Sequence, residues 1–125
     1  ETCVIRHDRS NTPLQAFVTL NDPVFIEASQ ALARRLMKEA STDEARLRRA
    51  YVLCLAREPD AAELATLQTL LARSLQEYRA DTKLAEQMAT QPLGPAEKGT
   101  DLPALAAWTT VSSVIMNLDE FLMRR

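Results

Sequence analysis

Residues Asp60–Tyr78 read DAAELATLQTLLARSLQEY. Leu64, Leu67, Leu71, Leu75 and Tyr78 recur at spacings of 3, 4, 4 and 3. That rhythm puts them on one stripe of an α-helix and on no single face of a strand. Asp60 stands where an N-cap should, and Glu63 follows three residues later. Together they make a reciprocal capping box, in which each side chain accepts from the other's backbone amide. The stretch therefore predicts a long helix from Ala61 to beyond Arg79, continuing past Leu84 to Met88.

The same signals recur on both sides of it. Upstream, Arg57-Glu58-Pro59 is a break, and the helix before it starts at the cap cluster Ser41-Thr42-Asp43-Glu44. Its inward set is Leu47, Ala50, Tyr51 and Cys54, with Arg46, Arg48 and Arg49 on its flanks. Before that, Phe25, Ala28, Leu32 and Leu36 define another helix face, with Asp22 as N-cap and Pro23 at the first helical position. Asn21-Asp22-Pro23 also ends an earlier helix, which opens at Thr12 with Pro13 behind it and Gln15 at the capping-box position. Residues 1–11 read as a linker arriving from upstream. Downstream, residues 89–102 hold both glycines and two prolines and read as the one long loop and the most mobile part. Thr100 or Asp101 then caps a last helix with Leu105, Trp108, Val111, Ile115 and Leu118 inward. Asn117 interrupts it, and Asp119 caps a short terminal turn. The expectation is one all-α domain over residues 12–125: a single compact bundle of about five helices, plus that C-terminal turn, around a core centred on Trp108.

Composition excludes several alternatives. Two glycines in 125 residues leave little for tight hairpins or phosphate-cradling loops. A formal charge of −2 provides no general attraction for nucleic acid. No run reaches the roughly 20 apolar residues that span a bilayer, so no membrane insertion is expected. Twelve of the fifteen basic residues are Arg, the side chain suited to bidentate carboxylate pairs and interfaces. The chain opens on Glu1 and reads as a piece of a longer protein, silent on targeting.

Candidate chemistry is sparse. His7 is the single imidazole and sits in the polar entry segment, where nothing orients it. Ser10, Ser112 and Ser113 lack a nucleophile context. Asp119 and Glu120 lack further oxygen ligands at metal-binding spacing. Glu39, Asp43 and Glu44 offset Arg46, Arg48 and Arg49, so that cluster reads as an ion-pair surface. Cys3 and Cys54 fit neither a redox motif nor a zinc set, and a disulfide between them stays open. Catalytic, cofactor and metal residues are therefore expected to be none. Gln15, Asn21, Asn117 and Asp119 are polar residues among large apolar ones. One reading is architectural: the first and last helices lie side by side and these side chains satisfy the backbone at the two breaks. Its rival is that the four line an open ligand groove.

Several strings together carry a resemblance. Asn11-Thr12-Pro13-Leu14-Gln15-Ala16 precedes Leu20-Asn21-Asp22-Pro23; later come Arg48-Arg49-Ala50-Tyr51 and Arg57 with Pro59 and Glu63-Leu64; the chain closes with Ala107-Trp108 and Asn117-Leu118-Asp119-Glu120-Phe121. The series, in this order over nearly the whole chain, resembles the C-terminal part of the planctomycete-type domain of unknown function DUF1553. The resemblance implies a large exported bacterial protein, periplasmic or extracellular, in which a cytochrome-c-like haem segment and a second domain precede this one. The haem signature CxxCH is absent here, so no cofactor is expected in these residues and any haem belongs elsewhere in the parent. The family offers no catalytic residue to carry over. Two functions follow as expectations. One is a non-catalytic structural and interaction module packing on the preceding domain of the same polypeptide. The other is part of an enzyme-associated substrate-binding region, for instance for a polysaccharide.

Overall fold

Between Leu102 and Leu118 the chain carries no charged residue, and the positions around its stripe of large apolar side chains are mostly Ala, Ser and Thr. A helix of that composition is stable only when covered on all sides. The computed structural model describes residues 23–123, with side chains through Leu118, and places this segment at the centre. In chain order the helices are α1 (Pro23–Glu39), α2 (Asp43–Leu55), α3 (Ala61–Ala80), α4 (Thr82–Thr90) and α5 (Leu102–Met123). The fold is all-α, and no strand occurs among the described residues. Helices α1, α2, α3 and α4 all pack on α5.

Trp108 is 2% exposed and lies in one core with Leu36, Leu47, Tyr51, Leu71 and Ile115. Two of the three hydroxyls buried on α5 turn to their own helix. Thr109 Oγ1 donates to the Leu105 carbonyl at 2.8 Å, and Ser113 Oγ to that of Thr110 at 2.7 Å. This bonding satisfies the donors of Thr109 and Ser113 inside the fold, while Ser112 Oγ stays buried without a partner.

The face of α1 differs from the periodicity reading. Only Leu36 of the expected set is buried; Phe25, Ala28 and Leu32 are half-buried, while Ser29, Gln30, Ala33 and Leu36 form the buried face. Small residues permit a close approach to the Ala- and Ser-rich α5, and the polar Gln30 is retained inside by hydrogen bonds described below.

The long helix expected from Ala61 to Met88 is two helices. Asp81 leaves the helical region (φ −136°, ψ 85°), and its carboxylate accepts from the Leu84 amide at 3.1 Å, capping α4. Neither Gly nor Pro marks this break; a side-chain cap alone makes it, and so turns Ala85 and Ala89 onto α5. At the C-terminus the opposite correction applies. Asn117 does not interrupt α5, and Asp119 starts no separate turn, because the helix continues to Met123. The modest helix propensity of Asn, below 1 kcal/mol, is outweighed by packing on four neighbours. The expected helix at residues 12–20, and its caps Thr12, Gln15, Asn21 and Asp22, lie outside the described residues. So do residues 1–11 with His7, and Cys3.

Helix α2 starts at Thr42, whose hydroxyl accepts from the Ala45 amide at 3.2 Å. It ends on Ala56, in the left-handed region at φ 59°. A β-carbon there costs about 1–2 kcal/mol, which glycine avoids at some entropic expense in the unfolded chain. Ala56→Gly is therefore expected to stabilise the domain by about 0.5–1 kcal/mol, read as a raised urea midpoint at unchanged slope.

Candidate functional site

The richest cluster of interacting side chains lies where α2 hands over to α3. Asp60 Oδ1 accepts from the Glu63 amide at 2.7 Å, and Glu63 Oε1 accepts from the Asp60 amide at 2.9 Å. Arg57, three residues ahead of the box, donates to both Glu63 oxygens at 2.8 Å. Its guanidinium also lies over the Tyr51 ring, 5.2 Å from the centroid. One arginine thus ties the start of α3 to the buried aromatic of α2. The paired hydrogen bonds from Arg57 hold the Glu63 carboxyl at about 2, well below its usual value, and the Asp60 amide assists.

A second cluster joins α1 to the segment after α4. Gln30, fully buried, donates through Nε2 to the carbonyls of Met88 and Gln91, both at 2.7 Å, and accepts from the Leu93 amide at 3.0 Å. One turn along α1, Arg34 donates to the carbonyls of Ala89 (3.0 Å), Gly94 and Pro95 (3.3 Å). One further turn along, Lys38 pairs with Glu97 at 3.1 Å. Beside this contact lies an open cavity of about 660 Å³, lined by Arg34, Lys38, Met37, Glu97, Asp101 and Leu105 among others.

Arg35, Arg48 and Arg49 form a ladder across α1 and α2, while Arg79 of α3 pairs with Asp101 at 2.9 Å. Glu39 accepts from Arg35 at 2.7 Å and from Arg49 at 3.1 Å, and these bonds lower its pKa. Arg48 reaches Glu44 at 2.9 Å and Glu58 at 2.8 Å, which raises its own. Arg46 behaves differently from its neighbours. Its side chain is 17% exposed, it donates to the Ala40 carbonyl at 2.8 Å, and its guanidinium covers the Trp108 ring at 5.8 Å. It belongs to the lining of the core rather than to an anion patch.

Chemically, these arrangements hold backbone; they present no activated nucleophile. Burial raises the phenol pKa of both Tyr51 and Tyr78, and Tyr78 is bonded to Thr110 at 3.0 Å. Among the described residues no group of three or more His, Cys, Asp or Glu could hold a metal ion. Of the residues singled out from the sequence, Asp60 and Glu63 meet in the capping box, and Trp108 lies under Arg46. Asn117 is buried within α5, its Oδ1 without a hydrogen-bond partner, so it does not cap a break. Asp119 lies on α5, beyond the described side chains. Sequence reasoning missed Gln30, Arg34, Arg57 and Asp81. Arg57 stood beside a legible capping box; for Gln30, a polar residue on an otherwise small-residue face was the one available sign.

Fold and contacts together define a helical module stabilised by capping and backbone-clamping side chains. The chain belongs to the family of proteins of unknown function DUF1553, whose family model matches residues 1–71. The closing strings at residues 107–121 lie outside that match. No curated protein matches the chain. No solved structure matches it either.

The capping box sets a stability prediction with a definite sign. Asp60→Ala is expected to cost about 0.5–2 kcal/mol at neutral pH. Glu63, depressed in the folded state, contributes fully above its unfolded value of 4.5 and progressively less as pH falls towards about 2. Denaturation midpoints between pH 5 and 2 should fall more steeply for the natural protein than for Glu63→Gln.

Proposed function

We propose that this domain is a non-catalytic structural and interaction module that packs on the preceding domain of a larger exported bacterial protein, in the periplasm or outside the cell. The observation that carries this reading is the use of its polar groups. Asp60, Glu63, Arg57, Gln30 and Arg34 bind backbone or one another, and the outward arginines Arg35, Arg48 and Arg49 stand in a charge-balanced ladder with Glu39, Glu44 and Glu58. Val52, 40% exposed, lies on the same helix as Arg48 and Arg49. An exposed face of exchangeable arginine–carboxylate pairs around an apolar side chain suits docking against another protein surface. The resemblance to exported multidomain chains points to the upstream domain as that surface, with any haem carried elsewhere in the parent.

The polysaccharide-binding alternative would draw on the cavity between α1 and residues 95–101. Among the described residues no aromatic ring lines it, so a sugar face finds none of them to stack on.

The test is a calorimetric titration of the domain with the separately produced preceding domain. Saturable binding is expected, weakened roughly tenfold or more by the double substitution Arg48→Glu, Arg49→Glu. Absence of binding, or binding indifferent to those charges, would contradict the docking face.

A further inference from the structure

The segment between α4 and α5 is attached to the fold in an unusual way. From Gln91 to Asp101 no residue is fully buried; half-buried Ala96 is its apolar contact with the core, and at the far end Asp101 pairs with Arg79 of α3 at 2.9 Å. The stretch up to Glu97 is held by three side chains of α1, at positions 30, 34 and 38, a spacing of four that forms one stripe along the helix. The three rungs are graded. Gln30 is fully buried and grips Gln91 and Leu93. Arg34 is half-buried and grips Gly94 and Pro95. The last rung, Lys38 with Glu97, is an exposed pair, at 72% and 76% side-chain exposure. Exposed ion pairs are screened by water and contribute little, whereas a buried polar group stripped of its partners keeps its full desolvation cost. The latch is therefore weak at its outer end and strong at its inner end.

The chain's only glycines bracket the weakly held part. Gly94 (φ 125°) and Gly99 (φ 86°) both adopt backbone conformations that other residues reach only with strain, and a β-carbon at either would meet nothing within 4 Å. What glycine supplies there is backbone freedom, not room. Between them, residues 95–97 wall off one cavity from another: Pro95, Ala96 and Glu97 line both the 660 Å³ cavity beside α1 and a 510 Å³ cavity beside α4. The inner side of the first cavity carries Met37 and Leu105, and that of the second carries Leu102.

We propose that residues 94–100 are a hinged lid. It turns on Gly94 and Gly99, releases the Lys38 and Arg34 rungs while Gln30 holds the base, and joins the two cavities into one trench with an apolar floor of Met37, Leu102 and Leu105. Such an opening is a local event, separate from unfolding of the α5 core.

Hydrogen exchange of the whole chain tests this, with the Thr100 amide (bonded to Glu97 O at 3.1 Å) as lid reporter and the Leu93 amide as base reporter. Thr100 is expected to exchange at least tenfold faster than Leu93 after correction for intrinsic rates, with little dependence on added denaturant. Arg34→Ala should speed Thr100 at least threefold more without altering α2 or α3 amides. If Thr100 and Leu93 exchange together, with the denaturant dependence of α5 amides, no lid opens short of global unfolding and the proposal fails. The natural protein alone decides this point, so a poorly folding variant does not blunt the test. Acceleration by Arg34→Ala in every helix alike would equally overturn it.

Discussion

Burial of α5 on every side is the constraint from which the rest follows. A helix without charge from Leu102 to Leu118 has no face to offer water, so the other helices must surround it. Each large apolar side chain placed there contributes about 1.5–3 kcal/mol, and Trp108, Leu105, Val111 and Ile115 are all buried. Enclosure also dictates the residue types on the neighbours. Where α1 meets α5, α1 buries the small residues Ser29 and Ala33, and the Ser29 hydroxyl meets the Met116 sulfur at 3.8 Å. Where bulk is needed, Leu36, Leu47 and Tyr51 supply it. Even the cost of burying Ser112 Oγ and Asn117 Oδ1 without partners is borne within this helix.

This constraint explains which features could be read from the sequence. Starts of helices were legible because caps are local: Asp60 with Glu63 and Pro103 behind Asp101 act within one turn. Capping at Asp81 is equally local, yet it was hidden by Leu84 and Met88, which continue the apolar rhythm across it. The inward face of α1 was misjudged because periodicity rewards large residues, whereas close packing against an Ala- and Ser-rich partner rewards small ones. Asn117 was misjudged for the same reason in reverse. Its preference for breaking a helix is a local cost, and the surrounding helices that overcome it lie far away in sequence. The clamps at Gln30 and Arg34 reach 55 residues or more along the chain, and no local pattern announces them.

The polar clusters divide the labour between permanence and release. At the α2–α3 corner, Arg57 donates two bonds to a carboxylate that already closes a capping box, and it stacks on Tyr51 as well. Arg57 and Glu63 there each have several partners, so losing one contact leaves others holding. Along α1 the three rungs act in series, each on a different part of the same segment, and their strength falls with exposure. Redundant contacts make a fixed corner; graded contacts make an edge that can peel.

The extent of the family match adds a last consequence. It ends at residue 71, inside α3, and so takes in α1, α2 and only part of the next helix. That boundary cannot be a folding boundary. Leu36, Leu47, Tyr51, Leu67 and Leu71 all belong to the matched stretch, yet they are buried in a core completed by Trp108, Val111 and Ile115 of α5. Residues 1–71 alone would leave that apolar face open to water. The matched and unmatched parts must therefore fold as one unit. The matched portion supplies the capping corner and the arginine ladder. The unmatched portion supplies the central helix and the segment latched to α1. A partner meeting the ladder on α1 and α2 would thus touch the helix that also holds the latch, since Arg35 and Glu39 of the ladder adjoin Arg34 and Lys38 of the stripe.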